Sequence, residues 1–167
     1  MIVRLESPDD RAASLEVERA AFEGPVEPAI VEAVRDLEGS FALVADDDGA
    51  VVGHVQMSRA WVGETAILAL GPIGVTPLRQ RRGIGSGLVR AALDEARRRG
   101  ETAVILLGAP AYYGRFGFGP AAALGLANPF AGVSEDGFQI DEEDFQVVVL
   151  ERSTVLEGEV RWHPSFG

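Results

Sequence analysis

The sequence predicts an α/β fold built on a mixed β-sheet, and three features carry that expectation. Ala103-Val104-Ile105-Leu106-Leu107 is a continuous apolar run, which suits a central strand covered on both faces. The segment before it, Ile84–Arg99, repeats apolar residues at helical spacing, with Ile84, Leu88, Ala92 and Ala96 four apart and Gly100 as its stop. A helix between two apolar strands implies a right-handed crossover and locally parallel pairing. Upstream, Phe41–Ala45 and Ala50–Val62 read as an antiparallel pair, which makes the sheet mixed.

The remaining elements follow in order. Ile2–Leu5 reads as a short first strand. Ser7-Pro8-Asp9-Asp10 opens a helix, with Ser as N-cap, Pro at the first helical position and acids in the first turn; the helix is expected to run to about Phe22. Glu23–Pro28 breaks it. A second helix follows, with Ile30, Val31, Val34 and Leu37 spaced for one buried face. Asp46-Asp47-Asp48-Gly49 joins two strands and is read as a hairpin turn, since the spaced ligands of a calcium loop are missing. Thr65–Val75 forms the next strand, Pro110 starts a short helix ending near Gly117, and Phe145–Leu150 supplies a late strand. The expected order is βααβββαβαβ, with no linker and no repeat, and residues 1–167 are read as a single domain.

Composition bounds the function. The chain has 167 residues, 47% of them hydrophobic, enough for one domain with a sizeable core. No stretch approaches the roughly 18–20 apolar residues of a membrane span. Met1–Glu6 lacks the basic and apolar regions of a signal peptide, so a cytoplasmic protein is expected. Cysteine is absent, which excludes disulfides and thiolate chemistry. A net charge of −11 argues against nucleic-acid or anionic-membrane partners, because the summed field repels polyanions. Within it lies one basic island. Residues 76–100 hold seven Arg against Asp94 and Glu95 only, while the remaining chain carries 8 Arg and 24 acids. Such an island suits a small, concentrated anion, although Arg97-Arg98-Arg99 reads as a solvated helix face. Every basic residue is Arg.

The most informative segment is Val75-Thr76-Pro77-Leu78-Arg79-Gln80-Arg81-Arg82-Gly83-Ile84-Gly85-Ser86-Gly87-Leu88. A strand ends, a basic loop follows, and glycines open a helix. The first N–H groups of a helix lack internal partners and carry the positive end of its dipole. Glycine lets a phosphate approach those amides, and Arg81 and Arg82 add charge at the rim, so the turn reads as a diphosphate cradle, the alternative being a plain loop whose glycines serve helix packing. It is not a Walker loop, which needs Lys, nor a Rossmann turn, which needs a third Gly where Leu88 stands.

Here the chain resembles a family. Gln80-Arg81-Arg82-Gly83-Ile84-Gly85 is similar to the Q/R-x-x-G-x-G/A signature of GNAT N-acetyltransferases. Leu70-Gly71-Pro72-Ile73-Gly74-Val75-Thr76-Pro77 resembles the family's bulged fourth strand. Gly108-Ala109-Pro110-Ala111-Tyr112-Tyr113-Gly114-Arg115-Phe116-Gly117-Phe118, Gly53-His54 and Gly158–Phe166 resemble the YhbS-like branch. The likeness runs from about residue 2 to 166. It implies the acyl-CoA N-acyltransferase fold, with parallel strands splayed around the cofactor, and acetyl-CoA as co-substrate without a metal. It also implies direct transfer of acetyl to a primary amine of a small molecule or peptide, by a monomer or homodimer. The amides of Arg81, Arg82, Gly83, Ile84, Gly85 and Ser86 would hold the diphosphate. Backbone groups of Ile73, Gly74 and Val75 would pair with pantetheine.

Within that likeness Tyr113, four residues before Gly117-Phe118, is the implied general acid for the departing thiolate, and Tyr112 reads as packing or a pocket wall. The base is left open between Glu64, His54, a water relay and none. The strand-four position that holds Glu in histone-modifying relatives is Ala69 here, and Ala109 replaces the branch's usual Asp. A catalytically silent acyl-CoA-binding sensor or interaction module is the alternative reading.

Overall fold

The computed structural model describes residues 1–133 and 139–167, which form two compact units. The first comprises residues 1–58 and 70–98, the second 59–69 and 99–167. The first unit contains β1 (Ile2–Leu5), α1 (Arg11–Phe22), α2 (Val26–Val34), β2 (Phe41–Asp47), most of β3 (Ala50–Val62), the second half of β4 (Thr65–Val75) and α3 (Ile84–Arg98). Its strands are hydrogen-bonded in the order β1-β2-β3-β4. β1 and β2 are antiparallel from Ile2↔Asp46 to Leu5↔Leu43, and β2 and β3 from Phe41↔Met57 to Asp47↔Ala50.

The β2–β3 turn is tighter than the four-residue loop expected. The strands reach Asp47 and Ala50, leaving Asp48 and Gly49 with φ of 52° and 89°, the positive pair a primed two-residue turn requires. The acids have structural partners: Asp46 accepts the Gly49 N–H at 2.7 Å and two Arg4 donors, and Asp47 pairs with Arg79 at 2.5 Å.

Both N-terminal helices depart from expectation at their ends. Pro8–Asp10 is a 3-10 turn ahead of α1, because the Asp10 carboxylate folds back to accept the Ser7 N–H and hydroxyl, each at 2.7 Å. The α2 helix starts at Val26, with Pro28 inside its first turn, where no internal N–H bond is lost. It ends at Val34; Val31 and Val34 are fully buried, whereas Leu37 lies past the helix and is exposed. On α3, Ile84, Leu88, Ala92 and Ala96 are all buried, and the helix packs on β1 and β2. Each large apolar side chain so buried contributes about 1.5–3 kcal/mol.

The second unit holds the first half of β4, the end of β3, β5 (Ala103–Leu107), α4 (Pro110–Tyr113), β6 (Gly119–Pro120), β7 (Gly132–Val133), β8 (Gln139–Ile140), β9 (Phe145–Val149) and β10 (Val160–Arg161). Its strands run β4-β5-β9-β6, with β10 on β3 and a separate β7–β8 pair. The β4–β5 pairing is parallel, as the crossover predicts, at Leu68↔Val104 and Ala69↔Ile105. β5 and β9 are antiparallel from Ala103↔Val149 to Leu107↔Phe145. The sheet is therefore mixed. Ile67, Ala69, Ile105, Phe145, Val147 and Leu156 are among the residues of this unit's apolar core. At its margin Arg59 makes two hydrogen bonds to Glu101, at 2.7 and 2.9 Å.

Candidate functional site

The basic turn is built within the first unit. After β4 ends at Val75, Pro77–Arg79 forms a 3-10 turn, and the Gln80 side chain donates to the Val75 carbonyl at 3.0 Å, tying the loop to the strand it leaves. Arg81 and Gly83 take positive φ, 61° and 81°, so the chain reverses twice before α3. Ile84, Gly85 and Ser86 form the first turn of α3, ahead of its first bond, from the Gly87 N–H to the Gly83 carbonyl at 3.0 Å. Arg81, Arg82 and Gly83 are exposed.

Five of the island's seven arginines sort by their ion pairs. Arg79 pairs with Asp47, Arg97 with Asp94 and Arg98 with Glu95. Arg97 and Arg98 thus behave as the solvated helix face expected of them. Arg81 and Arg82 form no ion pair among the described residues. Two exposed guanidiniums without an ion-pair partner among the described residues thus stand at the start of α3 in an acidic chain.

The strand leading into this turn is irregular, with glycine at positions 71 and 74. Gly71, with φ of 136°, precedes Pro72, Ile73, Gly74 and Val75, and Gly74 is buried. A Cβ on Gly74 would lie 2.8 Å from Glu18 Oε2 and 3.1 Å from the Ala21 Cβ, so glycine lets α1 approach the strand backbone.

Glu18 is the residue that reading the sequence missed. It is fully buried on α1, and its Oε1 lies 2.6 Å from His54 Nδ1, itself fully buried on β3. His54 Nε2 is 3.8 Å from Glu6 Oε1, and Glu6 pairs with Arg35 at 3.3 Å. Burial pushes the Glu18 carboxyl above the usual carboxylate range, with Glu27 adding to the rise, while His54 and the Gly74 backbone favour its charged form. The signal was present in the sequence. Ser14, Val17 and Glu18 share the buried face of α1, and a carboxylate at such a position needs a partner.

Of the base candidates, Glu64 is exposed in the β3–β4 turn. His54 is a hydrogen-bonded core residue. Ala69 is buried in the apolar core of the second unit.

Tyr113 lies in the second unit, at the end of α4. A Cβ on Gly108 would overlap its ring, so the aromatic face rests directly on the backbone just past β5. Tyr112, Phe116 and Phe118 surround the ring with centroids 4.9, 6.4 and 6.0 Å away. Burial, then the neighbouring Tyr112, pushes the phenol up to about 12, so it keeps its proton at neutral pH. Its hydroxyl makes no hydrogen bond among the described residues. Ala109 caps α4 without a side-chain bond, as the loss of the carboxylate implies.

This arrangement has known counterparts. Residues 11–118 match the model of the acetyltransferase (GNAT) family. The chain is 34% identical over 151 residues to the N-acetyltransferase YhbS of Escherichia coli K12, covering 84% of this chain and 86% of YhbS. It superposes on the crystal structure of E. coli YhbS in complex with CoA with a TM-score of 0.84 and 31% identity, covering 99% of this chain and 91% of that one. A GNAT family acetyltransferase from Brucella melitensis in complex with acetyl-CoA matches with a TM-score of 0.77 and 30% identity, over 99% of this chain and 97% of that chain. The chain belongs to the GNAT family of N-acetyltransferases. Among the described residues no cluster of His, Asp or Glu could hold a metal ion, and no helix is long and apolar enough to cross a membrane.

Proposed function

We propose that the protein binds acetyl-CoA and passes the acetyl group directly to a primary amine of a small molecule or peptide. The observation that carries this reading is the pair Arg81 and Arg82, which have no acidic partner among the described residues, whereas Arg79 in the same turn pairs with Asp47. The diphosphate rests on the amides of Arg81 to Ser86, with the two guanidiniums at its flanks. Pantetheine pairs with the backbone of Ile73, Gly74 and Val75, placing the thioester at the strand's end. The complexes of YhbS with CoA and of the Brucella protein with acetyl-CoA support the choice of ligand. A cytoplasmic location suits that co-substrate.

In the reaction the neutral amine nitrogen attacks the thioester carbonyl carbon, the C–S bond breaks, the thiolate takes a proton from the Tyr113 hydroxyl, and the proton shed by the nitrogen passes to solvent, from which Tyr113 is reprotonated. A phenol held at about 12 supplies that proton throughout the neutral range. The second reading, a silent acyl-CoA-binding module, draws on Ala69 and Ala109, positions without an acidic side chain. Both are tested together. Calorimetry with CoA should show Arg81→Ala/Arg82→Ala binding at least several-fold more weakly than the parent, with Arg97→Ala unchanged. Thiol release from acetyl-CoA in the presence of amines separates enzyme from module. Equal CoA affinity in the double variant would remove the cradle.

A further inference from the structure

The second unit carries a cavity of about 500 Å³ that the proposed acetyl transfer does not use. Its volume falls in the range of small-molecule sites, roughly 300–1,000 Å³. The aromatic walls are Trp61 near the end of β3, Phe130 ahead of β7 and Trp162 just past β10. Pairing of β10 with β3, at Arg161↔Trp61 and Val160↔Val62, brings the two tryptophans together from distant parts of the chain. The Phe130 and Trp162 rings meet edge to face with centroids 5.6 Å apart. None of the ring neighbours of Tyr113, which are Tyr112, Phe116 and Phe118, lines this cavity.

The ionisable side chains at the walls are Arg161 and His163, with no Asp or Glu among the described lining residues. Arg161 is exposed and donates through Nη2 to the Gly63 carbonyl at 2.8 Å, and its guanidinium carbon lies 5.7 Å from the centre of the Trp61 ring. His163 Nδ1 accepts the Ser165 N–H at 3.2 Å and lies 2.7 Å from the Ser165 hydroxyl. The neutral imidazole therefore carries its hydrogen on Nε2. Neither Arg161 nor His163 forms an ion pair among the described residues. Both bring donors to the cavity in a chain of net charge −11.

We propose that this cavity binds an aromatic carboxylate. The ring of the ligand packs among Trp61, Phe130 and Trp162, where offset and edge-to-face contacts are favoured. Its carboxylate meets Arg161, whose planar fork of N–H groups matches two oxygens, and His163 Nε2–H. A cationic ligand would find no carboxylate side chain at these walls, and a wholly apolar one would leave the guanidinium unmatched. The site stands apart from the acetyl-CoA reading, since no residue of the cradle or of Ile73 to Val75 takes part.

The protein carries its own reporter, because its only two tryptophans, Trp61 and Trp162, both line the cavity. The test titrates the full chain with phenylacetate, phenylacetamide and acetate while following tryptophan emission. Phenylacetate should change the emission saturably and bind at least about tenfold more tightly than the neutral amide or the ring-free acetate. In Arg161→Gln the preference for phenylacetate over phenylacetamide should shrink to within about twofold. Emission that does not respond, or equal affinity of the parent for phenylacetate and either control, overturns the proposal.

NMR of the unmodified protein supplies an arm that needs no variant. Of its two histidines, His163 lines the cavity and His54 is fully buried in the first unit. Phenylacetate should move the ring signals of His163 and leave those of His54 in place. His163 signals that stay fixed overturn the inference even if Arg161→Gln does not fold. A cavity covered instead by a second copy of the chain would leave the emission blind to phenylacetate and make the sedimentation coefficient fall on dilution, which also overturns it.

Discussion

The ring of Tyr113 lies on the backbone of Gly108, so closely that no side chain fits at position 108. The phenol is thus placed by packing, with three aromatic neighbours around the ring and no hydrogen bond at its oxygen among the described residues. Removing the hydroxyl leaves that packing intact. Tyr113→Phe should lower turnover by about 10²-fold or more with acetyl-CoA affinity little changed, and Tyr112→Phe should be mild. Steady-state kinetics with calorimetry checks both. Gly108→Ala should match the loss in turnover by displacing the ring. A parent rate in Tyr113→Phe would assign the proton to solvent.

The cradle gives a second expectation. Gly85 is in the first turn of α3, and Gly85→Asp would set a carboxylate against a diphosphate bound as proposed. CoA should bind at least several-fold more weakly, by isothermal titration, while the helix is retained by circular dichroism. Raising ionic strength should weaken the parent's binding and affect the variant less, since exposed charges are screened within about 10 Å at 0.1 M salt.

Gly74→Ala tests the approach of α1 to β4. The new methyl would meet the Glu18 carboxylate at 2.8 Å and the Ala21 methyl at 3.1 Å, so α1 must shift by a few tenths of an ångström. Overpacking of this kind costs about 1–3 kcal/mol, which thermal or urea unfolding would register. Pairing it with Glu18→Ala removes the obstructing carboxylate and should recover part of the loss. Unfolding at the parent midpoint would mean the helix yields freely there.

Acid sensitivity should reside in the Arg4 cluster. Asp10 accepts from Arg4 at 2.7 and 3.0 Å and from Ser7 twice, and the Arg4 bond first of all holds its carboxyl well below its ordinary 3.8. A depressed folded value adds stability that is complete above the unfolded value and is lost as pH falls through the folded one. Asp10→Asn should therefore cost about 1–3 kcal/mol at neutral pH and progressively less below pH 4. Urea midpoints measured across that window check the sign. A constant difference at every pH would assign the effect to packing.

The parts of the fold visible in the sequence are those fixed by local pattern. Ile84, Leu88, Ala92 and Ala96 marked the buried face of α3, and the apolar run 103–107 marked a strand paired on both edges. The bounds of β3 and β4 were also legible, because Gly63 and Glu64 interrupt apolar sequence between them. What escaped depended on contacts distant in the chain. Leu37 has helical spacing, yet α2 stops at Val34. The 3-10 turn at Pro8 needs the fold-back of Asp10. Arg81 and Arg82 were legible as basic but not as unpaired, since that depends on where Asp47 and Glu95 lie. Glu18 was hidden for the same reason, its partner His54 being 36 residues away.

The guanidiniums of Arg81 and Arg82, which have no ion-pair partner among the described residues, have a chemical consequence for the proposed cradle. A thioester donor held at high local concentration can acetylate any nearby primary amine, catalyst included, and a lysine in that position would be neutralised by the reagent it binds. Guanidinium is far less nucleophilic and stays protonated at every physiological pH. The same holds across the chain, whose 15 basic side chains are all arginine. The protein thus offers its own donor no side-chain amine to consume, and its anion site should persist through repeated turnover where a lysine-built one would wear away.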